Sequence, residues 1–197
     1  VAGNSLLDEI KNLEIFFNNP QKPNTAILGG SKISTKIEIM YNLIEYFDNI
    51  VIGGAMANTF LLAAGFNIGK SLVENELIIT AKEILKKAKN CSCNIILPTD
   101  VVCSNNLKDS ANIRLSDIKN ILPDQMILDI GNKTIQAIIE ILLRSKMILW
   151  NGPLGAFEKN PFNYATFEIA NAIKNNAKSR NITTLAGGGD TISAIKM

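Results

Sequence analysis

The chain predicts a three-layer α/β fold, a parallel sheet of six strands with helices on both faces. Six short apolar runs alternate with segments of helical period, and strands buried on both faces read as such runs. The runs are Ala26–Leu28, Ile50–Ile52, Ile95–Leu97, Met126–Leu128, Met147–Trp150 and Thr183–Leu185. Each stops at a turn rich in glycine, proline or acidic residues, the punctuation that separates a strand from a helix. The totals agree, since 197 residues with 47% hydrophobic and 19% charged content suit one ordinary globular core. In layering this is a Rossmann-like α/β domain.

Taken in order, Ser5–Phe17 places Leu6, Ile10, Leu13 and Phe17 on one helical face, and Asn18-Asn19-Pro20 with Pro23 ends it. The first run stops at Gly29-Gly30 and leads into a helix over about Ile33–Phe47. The second stops at Gly53-Gly54, and its helix carries Met56, Phe60 and Leu61 with Gly65 as C-terminal cap. Leu77, Ile78, Ala81, Ile84, Leu85 and Ala88 form the apolar side of the next helix, with Lys82, Lys86, Lys87 and Lys89 on its solvated side. The third run ends at Pro98-Thr99-Asp100. Ser104–Pro123 is polar with little period and reads as loop with at most short helical turns. The fourth run ends in Asp129-Ile130-Gly131, before a helix over Thr134–Leu143. The fifth ends in Asn151–Glu158, and a helix from about Pro161 to Ala177 follows, with Pro161 suited to its first turn. The sixth enters Gly187-Gly188-Gly189-Asp190-Thr191 and a last helix.

Several function classes drop out. A formal charge of +2 without an aromatic-rich basic stripe argues against nucleic acid as partner. No apolar run approaches the length needed to cross a bilayer, and the first residues show no signal-peptide pattern. Cys91, Cys93 and Cys103 lack zinc-knuckle spacing and read as reduced thiols, so the expected location is cytoplasmic. The absence of histidine removes Ser-His-Asp and Cys-His nucleophilic machinery and histidine metal sites. Gly65–Ser71 imitates a phosphate-binding P-loop, but Ala64 stands where the first glycine belongs and a helix precedes it. No Gly-x-Gly-x-x-Gly follows any strand, which disfavours a nicotinamide oxidoreductase.

In parallel sheets ligands bind outside the carboxyl ends of the strands, where these turns gather. At Gly29-Gly30 a helix start offers unpaired N–H groups and the positive end of the dipole, which suits phosphate. Lys32 and Lys36 are spaced i,i+4 and would share one helical face. Alone, this stretch reads equally well as a packing turn with solvated lysines. In Gly187–Thr191, backbone donors and Thr191 suit phosphate oxygens, whereas Asp190 repels them unless Mg²⁺ lies between. Alone, Asp190 reads as a helix cap; beside the other glycine turns and the lysine pair, the metal reading is preferred. Glu158 offers acceptors to a diol such as a ribose, or compensates a helix N-terminus. Trp150 and Phe157 read as core, while Leu72 and Met56 are either core or the wall of an apolar slot for a base.

Gly29–Lys36, Ile52–Phe60, Ile68–Leu72, Leu97–Asp100, Leu128–Gly131, Trp150–Glu158 and Gly187–Thr191 together resemble, in order and separation, the phosphoglycerate kinase family. The resemblance covers essentially the whole chain and points to the carboxyl-terminal, nucleotide-binding half. It implies an interdomain helix over residues 1–19 and a nucleotide-binding domain over 20–197, without the substrate domain or the last C-terminal segment. It implies phosphoryl transfer, in glycolysis, between 1,3-bisphosphoglycerate and MgADP, giving 3-phosphoglycerate and MgATP. By the same resemblance Lys32 and Lys36 contact nucleotide phosphates and are catalytic, with Lys36 tied to the transferred group. Asp190 reaches Mg²⁺, and Gly188, Gly189, Asp190 and Thr191 hold phosphates. Glu158 binds the ribose, and Gly53, Gly54 and Leu72 border the adenine. Gly29, Gly30, Asn151 and Pro153 complete the nucleotide site. Both phosphoglycerates would be bound mainly by the absent N-terminal domain.

A carboxylate exchanging a phosphoryl group needs no proton removed, so missing imidazole is no obstacle. The chain departs from the family at Ala55 and Ile127, where glycines are usual beside the adenine, and at Ala165-Thr166, where the family has Gly-Thr. The expectation is a monomer that binds ADP or ATP without turnover by itself. The alternative is a non-catalytic nucleotide-binding or regulatory module.

Overall fold

The computed structural model describes residues 20–107, 112–180 and 182–196. The helix expected over Ser5–Phe17, and the whole segment 1–19, lies outside the described residues. The strands are β1 (Asn24–Leu28), β2 (Asn49–Ile52), β3 (Asn94–Ile96), β4 (Asp100–Ser104), β5 (Arg114–Asp117), β6 (Met126–Ile130), β7 (Met147–Asn151) and β8 (Thr183–Gly187). The helices are α1 (Ile37–Tyr46), α2 (Met56–Ala63), α3 (Ile78–Asn90), α4 (Asn132–Arg144), α5 (Tyr164–Arg180) and α6 (Gly189–Lys196).

Five strands form one parallel sheet in the order β3-β2-β1-β7-β8, with the fully buried β1 at its centre. Because successive side chains alternate across a strand, the apolar runs divide between two cores. Ala26, Leu28, Ile50, Ile52 and Leu149 face Met40 and Leu43 of α1, Phe60 of α2 and Ile84 of α3. Ile27, Val51, Ile148 and Trp150 face Ile135 and Ile138 of α4 and Ala165 and Ile169 of α5. The three layers are therefore those expected.

The strand count is not. The parallel sheet has five strands, not six, because Met126–Leu128 lies in β6, part of a separate antiparallel sheet of order β5-β4-β6. An apolar run announces burial but not the direction of its partner, so periodicity could not separate β6 from the other five. The strand β5 falls in the stretch expected to be loop. Of Arg114-Leu115-Ser116-Asp117 only Ser116 is buried, so this edge strand carries no apolar run at all. A third apolar cluster joins this small sheet, through Val101 and Cys103, to Leu61 of α2 and Ile68 after it.

Two helix starts also differ. The helix α1 begins at Ile37 instead of Ile33, with Lys36 as its N-cap and the residues before it in a turn. Lys32 thus precedes the helix, and the shared-face argument for the two lysines fails. The helix α5 begins at Tyr164, with Pro161 in the preceding turn.

The segment after α2 is sewn to its surroundings residue by residue. Gly65 follows the C-cap Ala64 with φ +93°, the left-handed conformation expected of a cap glycine. Further on, Lys70 N–H donates to the Gln125 carbonyl at 2.7 Å, and Ser71 Oγ accepts from Ile127 N–H at 2.8 Å. Asn58 Nδ2 donates to the Leu72 carbonyl at 3.0 Å, and Glu74 N–H donates to Thr59 Oγ1 at 3.2 Å. Residues 70–74 therefore bridge the small sheet and α2.

Candidate functional site

The carboxyl ends of β1, β2, β7 and β8 bring Gly29, Gly53, Asn151 and Gly187 to one edge of the parallel sheet. There the turns pack main chain on main chain. A Cβ on Gly29 would lie 2.0 Å from the Pro153 carbonyl oxygen, and one on Gly54 would lie 2.5 Å from that of Gly30. Gly54 also holds φ +65°, so glycine is required there twice over.

Closeness of this kind consumes the amides. Gly29 N–H donates to the Asn151 carbonyl and Gly30 N–H to that of Pro153, both at 3.0 Å. Gly54 N–H donates to the Leu154 carbonyl and Gly53 N–H to that of Leu28, both at 2.8 Å. The bare helix-start donors expected near Gly29-Gly30 are therefore satisfied internally. Even Ile33 and Ser34, in the turn before α1, donate their N–H groups to one carboxylate, that of Glu74.

Two adjoining hollows open above these turns. The larger, about 460 Å³, is walled largely by apolar groups that include Ala55, Leu72, Pro98, Ile127, Leu154 and Phe157, with Lys70 and Glu158 among its polar members. The smaller, about 250 Å³, is lined by Lys32, Thr35, Lys36, Asn151, Gly152, Gly188, Gly189 and Thr191. Gly30, Ser31, Pro153 and Asp190 border both.

Of the residues singled out from sequence, Lys32, Lys36, Asn151, Gly188, Gly189 and Thr191 meet at the polar hollow. Gly54, Leu72 and Glu158 meet at the apolar one. Gly29 and Gly53 border neither. Gly29 is fixed by its approach to Pro153, and a Cβ on Gly53 would lie 2.3 Å from Leu154 Cδ2, so both are packing glycines. Leu72 is 60% exposed and walls the slot, whereas Met56 is core. Trp150 is core as expected, and Phe157 is buried while lining the apolar hollow. Of the departures noted above, Ala55 and Ile127 stand in the apolar wall, and Ala165-Thr166 lines neither hollow.

Lys36 turns inward. Its Nζ donates to the carbonyls of Gly29 at 2.5 Å and Asn151 at 2.8 Å, tying the ends of β1 and β7 together. Burial lowers its pKa from 10.5 to about 8, while the nearby Asp190 carboxylate pulls the other way. Thr191 is fully buried, and its Oγ1 accepts from Gly152 N–H at 2.6 Å, so the hydroxyl braces the turn at the hollow's rim.

Two carboxylates escaped sequence reasoning. Asp129 is 2% exposed behind the apolar hollow, accepting Ile130 N–H at 2.9 Å and Ala165 N–H at 3.0 Å. Burial pushes its pKa up to about 8 against those two hydrogen bonds. It lay within a quoted motif, but no local pattern revealed its burial. Glu74 lies 40 residues from Ser34 in sequence, and no spacing rule connects them.

The hollows suit a ligand with a flat apolar part and a polyanionic part. Among the described residues, no group of three or more histidine, cysteine or acidic side chains could hold a metal alone. A lone carboxylate, Asp190, at the junction instead fits a hard ion shared with ligand oxygens, as Mg²⁺ is commonly held. The three cysteines are free thiols, and among the described residues no helix is long and apolar enough to cross a membrane.

Comparison with known proteins gives one answer. The family model described as phosphoglycerate kinase matches residues 1–197. The phosphoglycerate kinase of Sinorhizobium medicae is 46% identical over 194 residues, covering 98% of this chain and 49% of the relative. That of Zymomonas mobilis is 43% identical over the same shares. Among solved structures, the Coxiella burnetii phosphoglycerate kinase matches with a TM-score of 0.90 and 38% identity, over 97% of this chain and 48% of that one. The Pyrococcus horikoshii enzyme matches with a TM-score of 0.80 and 28% identity, over 96% and 47%. The chain spans about half the length of the curated relatives it matches. With its strand-end turns, paired hollows and full-length family match, the chain belongs to the phosphoglycerate kinase family.

Proposed function

We propose that this chain is the nucleotide-binding half of a phosphoglycerate kinase. Residues 20–197 bind MgADP or MgATP, residues 1–19 lead in from a substrate domain, and that domain binds 3-phosphoglycerate or 1,3-bisphosphoglycerate. The observation that carries the reading is the junction itself. An apolar hollow abuts a cationic one across Gly30, Ser31, Pro153 and Asp190, the order of a nucleoside followed by its phosphates.

In this reading the base lies against Gly54, Leu72 and Ile127, and Glu158 accepts from the ribose hydroxyls. Asn151, Gly188, Gly189 and Thr191 shape the phosphate pocket. Lys32 and Lys36 neutralise the phosphates, and Lys36 follows the group in transfer by exchanging its carbonyl partners for phosphoryl oxygens. Asp190 would hold Mg²⁺, which would supply charge neutralisation. Catalysis in such a transfer is positioning plus electrostatics, since an acyl phosphate and a carboxylate exchange no proton. The acceptor's own contacts belong to the other half, so this chain alone binds nucleotide without turnover.

Isothermal titration calorimetry tests this. MgADP binds the folded chain with a dissociation constant below a millimolar, and Asp190→Asn weakens MgADP more than metal-free ADP. Absence of heat at millimolar nucleotide removes the proposal; equal losses for the two ligands remove the metal role of Asp190.

A further inference from the structure

We infer that Glu74 is a positioning residue for phosphate binding, a strap that holds the lysine-bearing turn against the polar hollow from behind. The inference rests on the nucleotide reading above. Its basis is a division of labour within residues 31–36. Ser31, Lys32, Thr35 and Lys36 line the hollow, and Ile33 and Ser34 do not. Those two instead donate to Glu74, with Ile33 N–H at 2.5 Å and Ser34 N–H at 3.3 Å from Oε2, and Ser34 Oγ at 2.6 Å from Oε1.

The turn needs such a strap. No side chain caps α1, and Lys36 at the N-cap is extended toward the Gly29 and Asn151 carbonyls. The N–H groups of Ile33 and Ser34, in the turn ahead of the helix, would if left to water let residues 31–36 adopt several shapes. Charge-assisted bonds from one carboxylate to three donors select a single shape. Glu74 is itself anchored, because its N–H donates to Thr59 Oγ1 on α2, whose hydroxyl is buried. Two residues earlier, Leu72 walls the apolar hollow and its carbonyl is bound by Asn58. One short segment therefore sets the wall of one hollow and the lysines of the other.

Charge and position make opposite predictions. Removing a carboxylate near two lysines strengthens anion binding if Glu74 acts only through its charge. Loss of the strap weakens it, because misplacement by a fraction of an ångström costs binding geometry.

The test compares the chain with its Glu74→Ala and Glu74→Gln variants, titrating ADP, inorganic pyrophosphate and adenosine by calorimetry, with circular dichroism to monitor the fold. Expected are about tenfold losses for ADP and pyrophosphate in the Ala variant and less than about twofold for adenosine, consistent with lost charge-assisted hydrogen bonds. Glu74→Gln keeps a neutral acceptor and recovers part of the loss. Unchanged or tighter pyrophosphate binding in the variants overturns the strap, as does an equal loss for adenosine. If the parent chain binds pyrophosphate but neither ADP nor adenosine, the nucleotide reading fails while the pyrophosphate arm still decides the role of Glu74. A parent chain that binds none of the three removes both.

Discussion

Lys36 shows how one side chain serves the fold and the site with conflicting demands. Its ammonium stitches β1 to β7 through two carbonyls, yet burial holds its pKa at about 8. A lysine whose pKa is lower folded than unfolded carries a stability cost while protonated. That cost is present below pH 8 and is relieved as pH rises from about 8 toward 10.5. An anion wants the opposite, because only the protonated amine attracts it. Calorimetry between pH 6.5 and 10 should therefore show MgADP affinity steady at first and falling above about pH 8, well before an ordinary lysine titrates. Thermal unfolding of the ligand-free chain should show no parallel loss from this residue over the same span. An affinity flat to pH 10 would remove Lys36 from the phosphate contacts.

At the scale of elements, the Leu97–Asp100 motif turns out to be a clamp. Asp100 on β4 accepts Lys133 N–H at 3.0 Å and Thr134 N–H at 2.8 Å, capping α4 from another strand. Thr134 Oγ1 returns a bond to Asp100 Oδ1 at 2.6 Å and accepts from Thr99 N–H at 3.0 Å. Gly131 belongs to the same clamp, since a Cβ there would lie 2.3 Å from Asp100 Oδ2. Asp100→Ala should cost about 2–3 kcal/mol in urea unfolding, the loss of a helix cap plus unpaired buried donors. Nucleotide affinity of the folded variant should change little, because Asp100 lines neither hollow. Motif spelling marked this residue without distinguishing chemistry from architecture. The same holds for Gly29 and Gly53, whose missing side chains make room for Pro153 and Leu154.

Over the whole molecule, legibility follows the range of the interaction. The central strands β1, β2 and β7 could be read because they are largely buried on both faces and spell apolar runs, while the edge strands β3 and β8, only partly buried, are marked mainly by the turns that end them. Glycine turns at their ends could be read because backbone conformation is a local property. The antiparallel sheet could not, as β5 is mostly exposed and the apolar run of β6 does not name its partner. Nor could the carboxylate of Glu74 closing on Ile33 and Ser34, a meeting made by the fold alone.

Trp150 adds a practical consequence. It is the chain's single tryptophan, 2% exposed, and its Nε1 donates at 2.8 Å to the carbonyl of Gly152, which lines the polar hollow. The indole thus sits beside the polar hollow while shielded from solvent, an optical reporter supplied by the sequence. Its emission should shift on saturation with pyrophosphate and hold steady with adenosine, which gives a label-free readout of which hollow is filled.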